Sequence, residues 1–285
     1  MRTVYLNGRY IAENEATVSI FDRGFLFADA IYEVTAVFEG RLVDFAGHTA
    51  RLDRSLREIG IRRPVSDEEL LSIHRELVRL NGLNEGLIYL GVTRGNAGDR
   101  DFLYPGAEVA PTIVLFSQEK ALIDDPAAAR GLRVITAEDL RWGRGDIKTV
   151  QLLYASMVKN RARDRGADDA WLVRDGFVTE GASNNAYIVT NDGRIVTRQL
   201  STDILGGITR AAILQCAADL QLRVEERPFS LAEVAEASEA FLTSAGGLVS
   251  AVVQVDATVI GSGKPGPMAS RLRQIYIERS RASAV

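Results

Sequence analysis

This sequence has little with which to bind a metal or close a covalent cross-link. Cys216 is its only cysteine, and His48 and His74 are its only histidines. An internal disulfide and a cysteine-rich metal site are excluded, and a histidine-built zinc site, which draws on several Cys and His ligands, is not expected. No metal is therefore assigned. Long apolar runs are also missing, since no stretch approaches the roughly 18 consecutive apolar residues of a membrane helix. The opening residues, Met1-Arg2-Thr3-Val4-Tyr5-Leu6-Asn7-Gly8, read as a strand entering a turn, without the apolar stretch of a signal peptide. A cytoplasmic protein is expected. Excess positive charge is absent too: the formal net charge is -4 at pH 7, which argues against nucleic acid and leaves a small molecule as the expected partner.

What is present is an ordinary globular composition, 46% hydrophobic and 25% charged over 285 residues, a length that suggests two domains. Alternation in Thr3 to Leu6, Ile31 to Phe38 and Ile88 to Thr93, and the short apolar run Pro111 to Phe116, predict strands. Leu52, Leu56 and Ile59 recur at helical spacing in Thr49 to Gly60, as do Leu70, Ile73, Leu77 and Leu80 in Asp67 to Leu80. Residues 1–117 thus read as a small N-terminal α+β domain. The charged and small residues of 118–130 read as a linker. Residues 131–285 read as a larger C-terminal α/β domain that would carry Lys148, with strands expected at Leu132 to Ala137, Ala170 to Arg174, Ala186 to Thr190 and Ala240 to Thr243. Helices are expected there at Thr149 to Arg165, Thr209 to Leu220 and Met268 to Ser280. The fold class is α+β.

Lys148 stands in an unusual charged and glycine-broken run, Arg144-Gly145-Asp146-Ile147-Lys148-Thr149. Further on, Thr179-Glu180-Gly181-Ala182-Ser183-Asn184-Asn185 places a carboxylate among small polar residues after an apolar strand. A lysine and a carboxylate in such settings suit pyridoxal 5'-phosphate, which needs an amine for a Schiff base and a partner for its pyridine nitrogen. Gly206-Gly207-Ile208-Thr209-Arg210 precedes an apolar helical pattern. Its free N–H groups and the Thr209 hydroxyl could receive a phosphate, though a glycine turn with a threonine N-cap explains them as well. Arg51 lies beside the apolar stripe of its helix, within reach of a phosphate or simply solvated. Tyr32 shares a strand face with Val34 and Ala36, lining either a pocket or the core. Arg100 is flanked by Asp99 and Asp101, which either neutralise it or leave it for a substrate carboxylate.

Taken together, these residues resemble the fold type IV, branched-chain-like class IV family of pyridoxal-phosphate aminotransferases, and within it the D-amino-acid transaminases most. The resemblance runs through Asp22-Arg23-Gly24, Phe27 to Val34, His48 to Leu52, Val92-Thr93-Arg94-Gly95, Asp146-Ile147-Lys148, Thr179-Glu180-Gly181 and Ile204 to Arg210. It implies a two-domain fold with the cofactor at the domain interface, and a homodimer whose neighbouring subunit completes the substrate pocket. Lys148 would anchor the cofactor and move the proton at the substrate α-carbon, and Glu180 would pair with the pyridine nitrogen. Arg51, Ile208, Thr209 and the Ala245 backbone would bind the phosphate, and Leu205 would pack on the ring. Tyr32, Val34, His48, Arg100 and Gly246 would meet the substrate.

The resemblance implies transamination between a D-amino acid, of the D-alanine or D-glutamate type, and a 2-oxo acid such as pyruvate or 2-oxoglutarate. Behind it stand an (R)-selective primary-amine transaminase, a branched-chain L-amino-acid transaminase, an aminodeoxychorismate lyase and a silent cofactor-binding protein. Two departures bear on substrate. Phe102 occupies a place where the D-amino-acid enzymes carry a histidine, in a loop one residue longer than usual. Ala245 and Gly246 stand where hydroxyl residues are common.

Overall fold

A computed structural model describes residues 1–285 and divides them into two compact units. Unit 1 comprises Met1–Ala121, Ile147–Gln151 and Ser280–Val285; unit 2 comprises Leu122–Asp146 and Leu152–Arg279. The segment around Lys148 therefore belongs with the N-terminal residues, although it lies far along the chain.

Unit 1 contains β1 (Thr3–Leu6), β2 (Arg9–Ala12), α1 (Arg23–Phe27), β3 (Ala30–Phe38), β4 (Arg41–Leu42), α2 (Phe45–Glu58), α3 (Asp67–Asn81), β5 (Gly86–Thr93) and β6 (Thr112–Glu119). The strands form one antiparallel sheet in the order β2-β1-β6-β5-β3-β4. Local chemistry sets the helix ends. Ser66 caps α3 by accepting from the Glu69 N–H, three acids fill its first turn, and Gly82 ends it at φ 59. Leu52 and Leu56 of α2 and Leu70, Ile73 and Leu77 of α3 bury the predicted helical stripes against Ile31, Val37, Ile88, Leu90 and Val92 of the sheet. On β3, Ile31, Glu33 and Thr35 alternate with Tyr32 and Val34, so that Glu33 is buried while Tyr32 and Val34 stay partly exposed.

The Lys148 segment differs from the expected helix at Thr149. Tyr32 donates its N–H to the Lys148 carbonyl at 3.0 Å, Val150 donates to the Ala30 carbonyl at 3.1 Å, and Thr149 bridges Ile31. With the backbone of two β-branched residues engaged by β3, the helix begins only at Leu153. Lys148 thus rides on an extended strand edge beside Tyr32.

Unit 2 contains α4 (Pro126–Arg130), β7 (Leu132–Glu138), α5 (Leu153–Asp164), β8 (Asp169–Arg174), β9 (Phe177–Gly181), β10 (Asn185–Val189), β11 (Ile195–Thr197), α6 (Ile208–Asp219), β12 (Val224–Glu226), α7 (Leu231–Glu236), β13 (Glu239–Ser244), β14 (Leu248–Val255), β15 (Thr258–Val259) and most of α8 (Pro267–Ser283). The stretch expected as a linker is largely ordered. Gln118 and Glu119 complete β6, and Asp125 caps α4 by accepting from the Ala127 N–H, with Pro126 in its first turn. A nine-stranded mixed sheet runs β12-β11-β10-β13-β14-β7-β8-β9, with β15 on β14. Alternate residues of β7 and β8 enter different cores: Val134 and Trp171 join Ile188, Leu242 and Val252, whereas Ile135, Ala170 and Leu172 join Val158 and Ala162 of α5. No helix is long and apolar enough to cross a membrane.

Candidate active site

In unit 1 the charged residues of the site are organised by a carboxylate. Glu33 is 2% exposed, and a bare charge there would be costly. It is satisfied from α2, where His48 and Arg51 are one turn apart and so share a face. Arg51 donates Nε to Glu33 Oε1 and Nη2 to Oε2, both at 2.7 Å, while His48 Nδ1 lies 2.8 Å from the same Oε2. Burial alone would raise the Glu33 pKa, but the Arg51 guanidinium and His48 outweigh it and bring it to about 2. An ionised carboxylate only accepts, so Nδ1 of His48 carries the proton.

Lys148 and Tyr32 are brought together, with Nζ 4.1 Å from the centre of the phenol ring. Tyr32 stacks on Tyr89, and Tyr89 on Phe116, at 5.7 and 4.9 Å between centroids, a ladder carried across β3, β5 and β6. Of the four lysines, Lys120, Lys148, Lys159 and Lys264, Lys159 is paired with Asp169 at 3.0 Å and Lys148 rests on an aromatic face. Arg100 stands in an exposed loop, over the rings of Phe27 and Phe102.

Unit 2 holds the remaining predicted residues. Glu180, at the end of β9, accepts from Arg141 Nη1 at 2.5 Å on Oε1, and from Asn185 Nδ2 at 3.0 Å and the Leu205 N–H at 3.1 Å on Oε2. Asn185 also donates to the Leu205 carbonyl at 2.9 Å, tying Glu180 and Leu205 into one frame. Burial pushes the Glu180 pKa up to about 7, with Arg141 and the Leu205 N–H opposing it. A carboxyl poised near neutrality in a dry setting is a recurrent mark of functional sites. Ile208 and Thr209 open α6 behind Gly207, which as N-cap supplies no side-chain hydrogen bond to the first turn. A Cβ on Gly207 would come within 2.1 Å of Asn185 Oδ1, so the close approach requires glycine. Ala245 and Gly246 sit in the turn from β13 to β14, and the pairing of Asn185 with Thr243 brings that turn to the Asn185 end of the sheet.

Residues 30–255 match the family model described as Amino-transferase class IV. The chain belongs to the class IV aminotransferases. A D-alanine aminotransferase from Bacillus licheniformis is 40% identical over 270 residues, covering 95% of this chain and 94% of that protein. Another, from Staphylococcus haemolyticus, is 37% identical and covers 99% of this chain and 100% of that protein. Among solved structures, the branched-chain aminotransferase of Thermoproteus uzoniensis, with norvaline, is 25% identical at a TM-score of 0.84, covering 97% of this chain and 94% of that one.

Three residues that organise the candidate site residues of this class IV aminotransferase, Glu33, Arg141 and Asn185, do not stand out in the sequence as such. Glu33 carries one usable signal, as an acid on an otherwise apolar strand. Arg141 follows β7 two positions after Asp139, which receives its Nε and Nη2 at 2.9 and 2.8 Å, and nothing in that short charged stretch points to Glu180. Asn185 belongs to the small polar cluster around Glu180, but its hold on Glu180 and Leu205 depends on strand pairing.

Proposed function

We propose that this class IV aminotransferase binds pyridoxal 5'-phosphate and moves the amino group of a D-amino acid, of the D-alanine or D-glutamate type, to a 2-oxo acid such as pyruvate or 2-oxoglutarate, working as a homodimer. The observation that carries the substrate class is the similarity to D-alanine aminotransferases at 37 to 40% identity along nearly their whole length. The branched-chain enzyme, at 25% identity, supports the fold.

The side chains present fit the cofactor. Glu180 is a buried acid near neutrality, the start of α6 has no capping side chain, and Lys148 holds its amine on an aromatic face. When bound, pyridoxal phosphate supplies an electron sink for the negative charge developed at the substrate α-carbon. Lys148 Nζ would anchor the group and, once its amine is free, would carry the proton from the substrate α-carbon to the cofactor. Glu180 would pair with the pyridine nitrogen and hold its proton in place, and Arg141 keeps Glu180 oriented through Oε1. The N–H groups of Ile208 and Thr209, the Thr209 hydroxyl, the Ala245 N–H and Arg51 would hold the phosphate, and Leu205 would pack on the ring. Glu33 balances Arg51 and fixes His48, while Tyr32, Val34, His48, Arg100 and Gly246 orient the substrate.

The test is a half-reaction panel on the holoenzyme, following the visible cofactor band with D-alanine, D-glutamate, L-leucine and (R)-1-phenylethylamine. The D-amino acids should bleach the band fastest; fastest bleaching by L-leucine would overturn the substrate assignment.

A further inference from the structure

Arg100 lies between two acids in the chain, yet its guanidinium pairs with neither. It stands 4.8 Å from the centre of the Phe102 ring and 5.1 Å from that of Phe27. The two rings meet edge to face at 5.5 Å, forming a ledge. A guanidinium held over aromatic rings keeps N–H donors available, whereas an ion pair with Asp99 or Asp101 would occupy them. Phe102 remains 74% exposed in this arrangement.

The loop beneath the ledge is fixed. Arg23 donates Nη1 to the carbonyls of Asp101 at 2.6 Å and Leu103 at 3.2 Å, so it grips the chain on both sides of Phe102. Tyr104 lies on the Arg94 guanidinium at 3.6 Å, and Asp29 accepts from both arginines, at 2.8 Å from Arg23 and 2.7 Å from Arg94. The backbone that carries Phe102 is thus anchored to a buried charge cluster, and the ring is held under Arg100.

We propose that Phe102, together with Phe27, is a positioning residue that presents Arg100 to the substrate carboxylate and so favours amino acids over simple amines. This rests on the reading of Arg100 as the carboxylate ligand of a D-amino-acid transaminase. The apolar ring at 102 orients a donor where a histidine would itself donate.

Holoenzyme of the wild type and of F102L, F102Y, R100A and R100A/F102L tests the proposal, with kcat and KM for D-alanine and (R)-1-phenylethylamine and a calorimetric Kd for propionate, a carboxylate with no amine to react. F102L should raise KM for D-alanine and weaken propionate by about two- to fivefold, the scale of an exposed cation–π contact. Its kcat and its kinetics with the amine should stay at wild-type values, and F102Y should restore both D-alanine KM and propionate binding. In the R100A background F102L should add nothing, because Phe102 acts through Arg100. If R100A raises the D-alanine KM while F102L matches wild type, the proposal fails and the carboxylate reading stands. If F102L harms the amine as much as D-alanine, Phe102 is a pocket wall and the proposal is overturned. If R100A leaves D-alanine and propionate untouched, the carboxylate reading fails and takes the proposal with it.

Discussion

Replacing Glu33 by glutamine removes the charge that balances Arg51 and His48 while nearly preserving shape. Three hydrogen bonds of 2.7 to 2.8 Å converge on this carboxylate, and its side chain and those of His48 and Arg51 are 2%, 6% and 10% exposed. Removing one partner of so buried a group leaves uncompensated charge, at a cost of about 3–5 kcal/mol. Linkage gives a similar size: the fall in the Glu33 pKa from 4.5 to about 2 corresponds to on the order of 3 kcal/mol. Its sign is set by the depressed folded-state value. The stabilisation is complete above the unfolded pKa and is lost as pH falls through about 2. E33Q without cofactor should therefore melt about 6–15 °C below wild type near neutral pH. The gap should shrink to less than half at about pH 3, where wild-type Glu33 has lost most of its advantage. Differential scanning calorimetry at the two pH values reads both quantities. Melting of E33Q together with wild type near neutrality, or a gap that does not change on acidification, would refute the reasoning.

For Glu180 the sign is opposite: a carboxyl raised to about 7 by burial favours the folded state when protonated, so its contribution is lost as pH rises from its unfolded value through about 7. Urea unfolding of the cofactor-free protein should show wild type losing about 2–3 kcal/mol relative to E180Q between about pH 5 and pH 8, and parallel pH profiles would contradict this. In G207A the new methyl must displace Asn185, whose Oδ1 lies 2.1 Å from its position. Titration of the cofactor-free variant with pyridoxal phosphate should show affinity lowered by about tenfold or more, the scale of a lost hydrogen bond to a charged group; unchanged affinity would remove Asn185 and the α6 start from the site.

Much of the fold is legible in the sequence because its helices carry regular apolar stripes. Leu52, Leu56, Leu70, Ile73 and Leu77 of the expected stripes are buried, Ile59 is half-buried, and Leu80, in the last turn of α3, is 39% exposed. Strand β14 is not legible, because it is buried over nearly its whole length and has no alternation to read. The helix expected from Thr149 starts late for a different reason: side-chain periodicity is blind to backbone groups claimed by a distant strand, here β3. The site divides in the same way. Lys148, Glu180 and the Gly206-Gly207 turn stand out by local context, as does Arg100. Glu33 acts through His48 and Arg51, Arg141 through Glu180 and Asn185 through Leu205, all more than ten residues away, and the packing of Arg100 over Phe102 is hidden behind the two acids that flank it in the chain.

The central claim is that Lys148 anchors the cofactor, and the chain's four lysines make it directly testable. Borohydride reduction of the cofactor-loaded protein, followed by peptide mapping, should place the phosphopyridoxyl group on Lys148 alone, and K148A should carry none. Modification of Lys120, Lys159 or Lys264 in its place, or undiminished turnover by K148A, would contradict the claim.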